Sequence, residues 1–367
     1  MAKHSPVVGR YVTIEVDGCE YKVFYLRNGS GIPLVCQHTA GCHNHQWRDL
    51  LEDPEITANY DVIAYDLARH GKSDPPLNKE WWKEEYRLTA DHYMNFIVAF
   101  CDALELEDPI FMGSSFGGNV ALQLALHHPD RFKAVIPVEA AEHAPGFFLD
   151  WWRHPHANAA QVCASGVWDL MAPQSPDMDR WLTWHYYTQG SEVFKGDLFF
   201  YSVDHDLRGK LGGIDTRRCP VVMMTGTYDY LTPPEATEAT ARQIPGGICI
   251  EMETSGTSRC RRISAVRGLP EGGPAPHRGA HVNARMNASA DMKSGNDFMK
   301  IVEFDDKGQR VETDAGSVSS SLGSSSLTPR PERPSRKRSL TPGPQLVEHR
   351  APCSRPERCG PSSNTSR

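Results

Sequence analysis

The chain has 367 residues and 39% hydrophobic content, enough for one large α/β domain with insertions or for two domains. Its formal net charge of −7 is mild and excludes a general nucleic-acid-binding surface. Ten cysteines are scattered singly, with no Cys-x-x-Cys pair and several inside apolar runs, which excludes a disulfide framework and predicts reduced core thiols. Met1 to Pro6 carries no apolar stretch, and no apolar run is long enough to span a bilayer. A soluble, cytoplasmic protein without membrane or nucleic-acid partners is expected.

In chain order, Tyr11 to Val16 and Tyr21 to Leu26 are β-rich runs separated by Asp17-Gly18, a hairpin signal. Leu34 to Gln37 reads as a third strand leading into His38-Thr39-Ala40-Gly41, and Trp47 follows on a short helix. Tyr60 to Tyr65 is a further strand, ending in Asp66-Leu67-Ala68-Arg69-His70-Gly71-Lys72-Ser73. Thr89 is placed to cap a helix to about Leu104, with Tyr93, Ile97, Phe100, Cys101 and Leu104 on one face. Strands near Ile110 and from Ala134 to Val138 flank a small-residue helix that ends near His128. Strands alternating with helices at this spacing predict an α/β fold with a doubly wound, mostly parallel sheet. Chemistry in such sheets collects at the carboxyl ends of the strands.

Between Pro145 and about Arg218 the strand rhythm stops, and five of the eight tryptophans (Trp151, Trp152, Trp168, Trp181, Trp184) fall there. This segment is predicted to be a helical cap, residues 145–218, inserted between two core parts, 1–144 and 219–253. Pro220 to Thr225 resumes a buried strand that ends in Gly226-Thr227-Tyr228-Asp229-Tyr230-Leu231-Thr232-Pro233-Pro234. A helix to Gln243 and a strand from Ile248 to Met252 follow. Residues 254–367 lose apolar periodicity and become rich in Arg, Gly, Ser and Pro, the composition of a disordered tail in which only Phe298 to Phe304 reads as a strand.

The stretch Pro109-Ile110-Phe111-Met112-Gly113-Ser114-Ser115-Phe116-Gly117-Gly118 carries the clearest chemistry. An apolar run ends in Gly-x-Ser-x-Gly and a helix pattern starts at once, the strand–turn–helix layout of a nucleophile elbow. Gly113 and Gly117 remove side chains that would crowd a strained Ser115. The turn also sets Ser115 and the Phe116 amide at a helix N-terminus. A serine hydroxyl needs an imidazole to take its proton, the imidazole needs a carboxylate, and the developing oxyanion needs amide donors.

Four motifs, each at the carboxyl end of a strand and in one order, resemble the α/β-hydrolase superfamily over residues 10 to about 253. They are His38-Thr39-Ala40-Gly41, Asp66 to Ser73, the Gly113–Gly117 elbow and Gly226-Thr227-Tyr228-Asp229. The resemblance implies Ser115 as nucleophile, Asp229 as the acid, and the Ala40 and Phe116 amides as the oxyanion hole. Thr39 stands where the family commonly has glycine. Glu139, after the next strand, is the rival acid. His38 is expected beneath the oxyanion loop, with substrate contact as its second role. Trp181 and Trp184 are candidate pocket residues, which would call for a small-molecule substrate with an apolar or aromatic part. The pairs His43/His45 and His154/His156 lack an acidic or Cys partner at ligand spacing, so no metal and no cofactor is expected. The implied activity is hydrolysis of an ester, amide or related acyl bond through an acyl-enzyme. The alternatives are a carbon–carbon bond hydrolase and a catalytically silent scaffold that binds a small apolar ligand.

The family's histidine belongs in a Gly-His-Phe-Pro-like loop just after the strand that ends near Met252. Here the chain reads Glu253-Thr254-Ser255-Gly256-Thr257-Ser258-Arg259-Cys260-Arg261-Arg262-Ile263-Ser264. A permitted back-translation from Thr257, ACT TCC CGA TGT CGG AGA ATT TCN, read one base earlier from a Gly256 codon GGC, gives His-Phe-Pro-Met-Ser-Glu-Asn-Phe. A change of reading frame near Glu253 is therefore expected, with a genuine disordered extension as the alternative. In the chain as it stands, His277 and His281 are the nearby downstream base candidates, and the helix that would cover the last strand's edge is missing.

Overall fold

The computed structural model describes residues 4–153, 162, 165, 166, 168, 171–173, 175–187, 193–252, 299–304 and 310–312. Ten strands form one sheet in the order β1-β2-β4-β3-β5-β6-β7-β8-β9-β10. β1 (Val8–Val16) and β2 (Cys19–Gly29) make the expected hairpin. Its two turn residues, Asp17 and Gly18, both take positive φ (51° and 75°), which matches the turn to the strand twist. β3 (Ile32–Gln37), β4 (Tyr60–Tyr65), β5 (Ile110–Ser114), β6 (Ala134–Val138), β7 (Val222–Gly226) and β8 (Ile248–Met252) are parallel to one another. Their buried, near-continuous apolar character follows from having both faces covered.

The pleat sends alternate residues into two cores. Val35, Ile63, Tyr65, Phe111 and Val135 face a core shared with α3 (Ala90–Ala103) and α4 (Phe116–His127). Leu34, Cys36, Val62, Ala64 and Met112 face a second core with Trp47 and the short helices α1 (Arg48–Glu52) and α2 (Pro54–Thr57). Thr89 caps α3 by accepting from the His92 amide, and Tyr93, Phe96, Ile97, Phe100 and Cys101 form its buried face. Each such large apolar side chain contributes roughly 1.5–3 kcal/mol of transfer free energy. Cys36, Cys42, Cys101, Cys219 and Cys249 are buried thiols and Cys19 is half-buried.

Between β6 and β7 run α5 (Asp177–Tyr187), α6 (Phe194–Phe199) and a π-helical turn over Phe200–Asp204. α7 (Pro234–Arg242) precedes β8. The one strand that the sequence allowed in the tail forms as β9 (Met299–Phe304), and β10 (Arg310–Glu312) joins it. β9 lies antiparallel to β8, pairing Cys249 with Val302 and Met252 with Met299. This corrects the expectation of an uncovered β8 edge, because backbone pairing with β9 covers it. No helix among the described residues is long and apolar enough to cross a membrane.

Candidate active site

Ser115 stands between β5 and α4 with φ 55° and ψ −114°, a backbone conformation that L-residues adopt only under constraint. The constraint is visible on both sides. The Ser115 N–H donates to the Val138 carbonyl at 2.8 Å, and its carbonyl accepts from Asn119 N–H at 2.8 Å. A Cβ on Gly113 would sit 2.1 Å from the Gly117 oxygen, and one on Gly117 would meet the Gln37 and His38 carbonyls at 3.0 and 3.1 Å. Only glycine permits this approach of turn, strand and oxyanion loop.

The Tyr201 hydroxyl lies beside Ser115 and bonds Thr232 Oγ1 at 2.8 Å. Tyr201 comes from the π-helical turn, a local irregularity that frequently marks functional positions. Burial raises its hydroxyl to about 12, so it is protonated and serves as a hydrogen-bond partner rather than a base.

Asp229 and Glu139 are both buried here, at 3% and 2% exposure. Asp229 Oδ1 accepts from the Leu231 and Thr232 amides, each at 2.9 Å, whereas Oδ2 is buried with no partner among the described residues. Burial lifts Asp229 to about 6, against the pull of those two amides. Glu139 is lifted further, by burial and then by the Asp229 charge, with Ser114 Oγ as a weak donor at 3.5 Å. Glu139 also carries a positive φ of 54°.

The oxyanion loop is pinned on both sides of Ala40. Thr39 N–H donates to Gln46 Oε1 and Gly41 N–H to Asp197 Oδ2, each at 2.8 Å. Phe116 is the first residue of α4, where amides have no intrahelical acceptor. His38 is fully buried, with Nδ1–H donating to Thr39 O at 2.8 Å and Nε2 accepting from Leu67 N–H at 3.1 Å. The Tyr187 hydroxyl of α5 lies near the Thr39 side chain and near Glu139.

Trp181 is 56% exposed, on the face of α5 away from buried Thr183, Tyr186 and Tyr187, and packs at 4.9 and 5.9 Å ring-centroid distance on Trp168 and Trp184. His277, His281, His154 and His156 lie outside the described residues, as does the stretch expected to carry the frame change. The described residues hold no group of three or more His, Cys, Asp or Glu placed to bind a metal. Tyr201, Tyr187 and Thr232 escaped the sequence reading. Of these, only Thr232 left a signal, through its place in Asp229-Tyr230-Leu231-Thr232-Pro233.

Residues 32–161 match the family model described as the alpha/beta hydrolase fold. The chain is similar to 2-hydroxymuconate semialdehyde hydrolase of Pseudomonas sp. (strain CF600), 30% identical over 140 residues, which is 38% of this chain and 46% of that protein. It is also similar to 3-oxoadipate enol-lactonase 1 of Acinetobacter baylyi, 26% identical over 45% of this chain and 52% of that protein. The matched region thus spans about half the length of each of these two relatives. Among solved structures, a thermophilic esterase from Thermogutta terrifontis superimposes with a TM-score of 0.59 at 18% identity, over 70% of this chain and 97% of that one.

Proposed function

We propose that this chain, which has the α/β-hydrolase fold, is a serine hydrolase that cleaves a carboxylic ester, lactone or related acyl bond of a small molecule through an acyl-enzyme on Ser115. The observation that carries this reading is the Ser115 backbone at φ 55°, held against two glycines at the head of α4. Strain of this kind persists only where the surrounding structure over-determines it, and it lifts the hydroxyl clear of the strand.

In the proposed reaction Ser115 Oγ attacks the acyl carbon and its proton passes to an imidazole. The oxyanion receives the Ala40 and Phe116 amides. The protonated imidazole then donates to the leaving oxygen, and water repeats the sequence to release the acid. Asp229 is the acid of this set, with Oδ2 as the oxygen offered to the imidazole. The tyrosines Tyr187 and Tyr201 suit a substrate with an apolar or aromatic part. The base is His277 or His281 in the chain as it stands, or the histidine of the shifted frame. Ordering a long segment to bring His277 or His281 to Ser115 opposes catalysis entropically, so a weak hydrolase is expected.

A second reading, a silent scaffold that binds a small apolar ligand, is favoured by one observation. None of the hydrogen bonds given for His38, His70, His143 and His205 reaches Ser115 or Asp229. A fluorophosphonate probe separates the two, since only an activated serine labels readily. Labelling at Ser115 together with turnover of p-nitrophenyl butyrate supports the hydrolase; an unlabelled, folded protein supports the scaffold.

A further inference from the structure

Asp197 lies on α6, 156 residues from the oxyanion loop in sequence, yet its carboxylate is fully buried against that loop. Burying a carboxylate is costly unless its oxygens are hydrogen-bonded. Here Oδ2 accepts from Gly41 N–H and from His70 Nε2, each at 2.8 Å, and Oδ1 accepts from the Tyr86 hydroxyl at 3.2 Å. We propose that Asp197 is a positioning residue for the oxyanion hole: through Gly41 and a charged His70 it fixes the direction of the Ala40 amide and ties it to the helix that carries Tyr201. This rests on the reading of Ser115 as nucleophile and of the Ala40 amide as an oxyanion donor.

The charge on His70 follows from its partners. Nε2 faces the Asp197 carboxylate and Nδ1 faces the Ala68 carbonyl at 2.9 Å, so both nitrogens meet atoms that only accept. Both must carry hydrogen. Burial opposes that state, and the Asp197 charge and hydrogen bond overcome it, with help from the nearby Asp66 carboxylate. His38, whose ring centre is 4.8 Å away, is in the opposite state: Nδ1 donates while Nε2 accepts, and burial and the His70 charge keep it neutral.

These bonds set the orientation of the donor. The Thr39 carbonyl and the Ala40 N–H belong to one planar peptide and point to opposite sides of it. That carbonyl accepts from His38 Nδ1 at 2.8 Å and from Cys42 N–H at 3.2 Å, which aims the Ala40 N–H the other way. The next peptide is held by Gly41 N–H on Asp197. Gly41 has φ 63°, and a Cβ there would lie 2.5 Å from Phe194 Cδ2, also on α6. Asp197 and Tyr201 are four residues apart, about one helical turn, so a single segment reaches both the oxyanion loop and the nucleophile.

The test combines Asp197→Asn with three readouts on the full chain. In the wild type at pH 8, nitrogen-detected NMR should show His70 protonated at both ring nitrogens, and in Asp197→Asn it should revert to the neutral pattern. Hydrogen exchange at the Gly41 amide should accelerate at least about a hundredfold in the variant. On p-nitrophenyl butyrate, kcat should fall about 10- to 100-fold with KM within about twofold, since loss of a whole oxyanion donor costs about 100- to 1,000-fold. Tyr86→Phe removes only the Oδ1 bond and should leave kcat within about threefold. A neutral His70 in the wild type overturns the proposal even if Asp197→Asn does not fold. So does a folded Asp197→Asn with unchanged Gly41 exchange or unchanged kcat. An unlabelled Ser115 in the wild type would instead defeat the hydrolase reading, while the NMR and exchange results still judge the clamp.

Discussion

The carboxyl of Glu139 shares buried space with that of Asp229, and the two differ in how their charged forms are supported. Burial raises Asp229 to about 6 although two backbone amides support its charge; Glu139, with one long bond from Ser114, is raised well above its ordinary value by burial and by the Asp229 charge. Of the two, Asp229 has the better-supported charged form, the form that accepts an imidazole N–H.

The two acids can be told apart by isosteric amides. Glu139→Gln imitates the neutral acid and should change kcat/KM by less than about fivefold, with the acid limb of the pH profile unmoved. Asp229→Asn should lower kcat by up to about ten-thousandfold if an imidazole is in place, the usual result of presenting it with the wrong partner. The opposite pattern in steady-state kinetics would make Glu139 the catalytic acid.

For Ser115→Ala, the expectation is loss of fluorophosphonate labelling and at least about a thousandfold loss of ester turnover, with an unchanged circular dichroism spectrum. The main-chain bonds to Val138 and Asn119 do not involve the hydroxyl, so the turn should survive. Turnover that persists in the purified variant would remove Ser115 from the mechanism.

The strands and the elbow were legible because their signals are local: apolar runs, a Gly-x-Ser-x-Gly turn, Thr89 before an amphipathic helix. Asp197, Tyr187 and Tyr201 were not, since their meaning depends on partners far away in sequence, 127 residues between Asp197 and His70 for instance. Nothing near Asp197 in the sequence distinguishes it from a solvated helix carboxylate. Likewise β9 could be read as a strand from Phe298 to Phe304, but nothing local said that it would pair with β8.

Helix phase separates the buried from the exposed aromatic residues of α5. Tyr187 is 5% exposed and lies near Thr39, whereas Trp181 is 56% exposed. Tyr187→Phe should lower kcat/KM on p-nitrophenyl butyrate by about three- to tenfold, because it removes a buried hydroxyl beside Thr39 of the oxyanion loop. Trp181→Ala should leave it within about twofold and shift stability by less than about 0.5 kcal/mol, as surface substitutions do. A larger KM effect at Trp181 than at Tyr187 would return the tryptophan to the pocket.

Acid should destabilise the fold through its buried neutral histidines. His205 donates from Nε2 to Ala141 O at 2.8 Å and accepts at Nδ1 from Gln123 Nε2 at 3.2 Å, and burial lowers it to about 4. A folded-state value below the unfolded one means that stability is complete above about 6.5 and is lost as pH falls toward 4. The displacement corresponds to roughly 3 kcal/mol at full protonation. His205→Gln, which keeps a donor and an acceptor, should show a shallower fall of melting temperature between pH 6.5 and 4 than the wild type. Parallel curves would mean that the histidine does not titrate with unfolding.

Restoring the alternative frame after Glu253 should raise both activity and stability. The shifted reading returns His-Phe-Pro just after β8, where the family resemblance calls for the base, and Asp229 Oδ2 is a buried oxygen without a partner among the described residues. Supplying an N–H there would satisfy that oxygen, and a charged acceptor bond contributes about 1.5–3 kcal/mol. It would also give Ser115 a base. A triad lacking its base retains only the residual catalysis of the oxyanion hole and binding, about a thousandfold to ten-thousandfold over water. Expressing both versions and comparing kcat/KM on one ester, with melting temperatures, decides the matter. A rise in kcat/KM of at least about a hundredfold with a higher melting temperature is expected for the restored frame. Equal activity in the two would mean that His277, His281 or another group already serves as the base, and the frame change would then have no part in the mechanism.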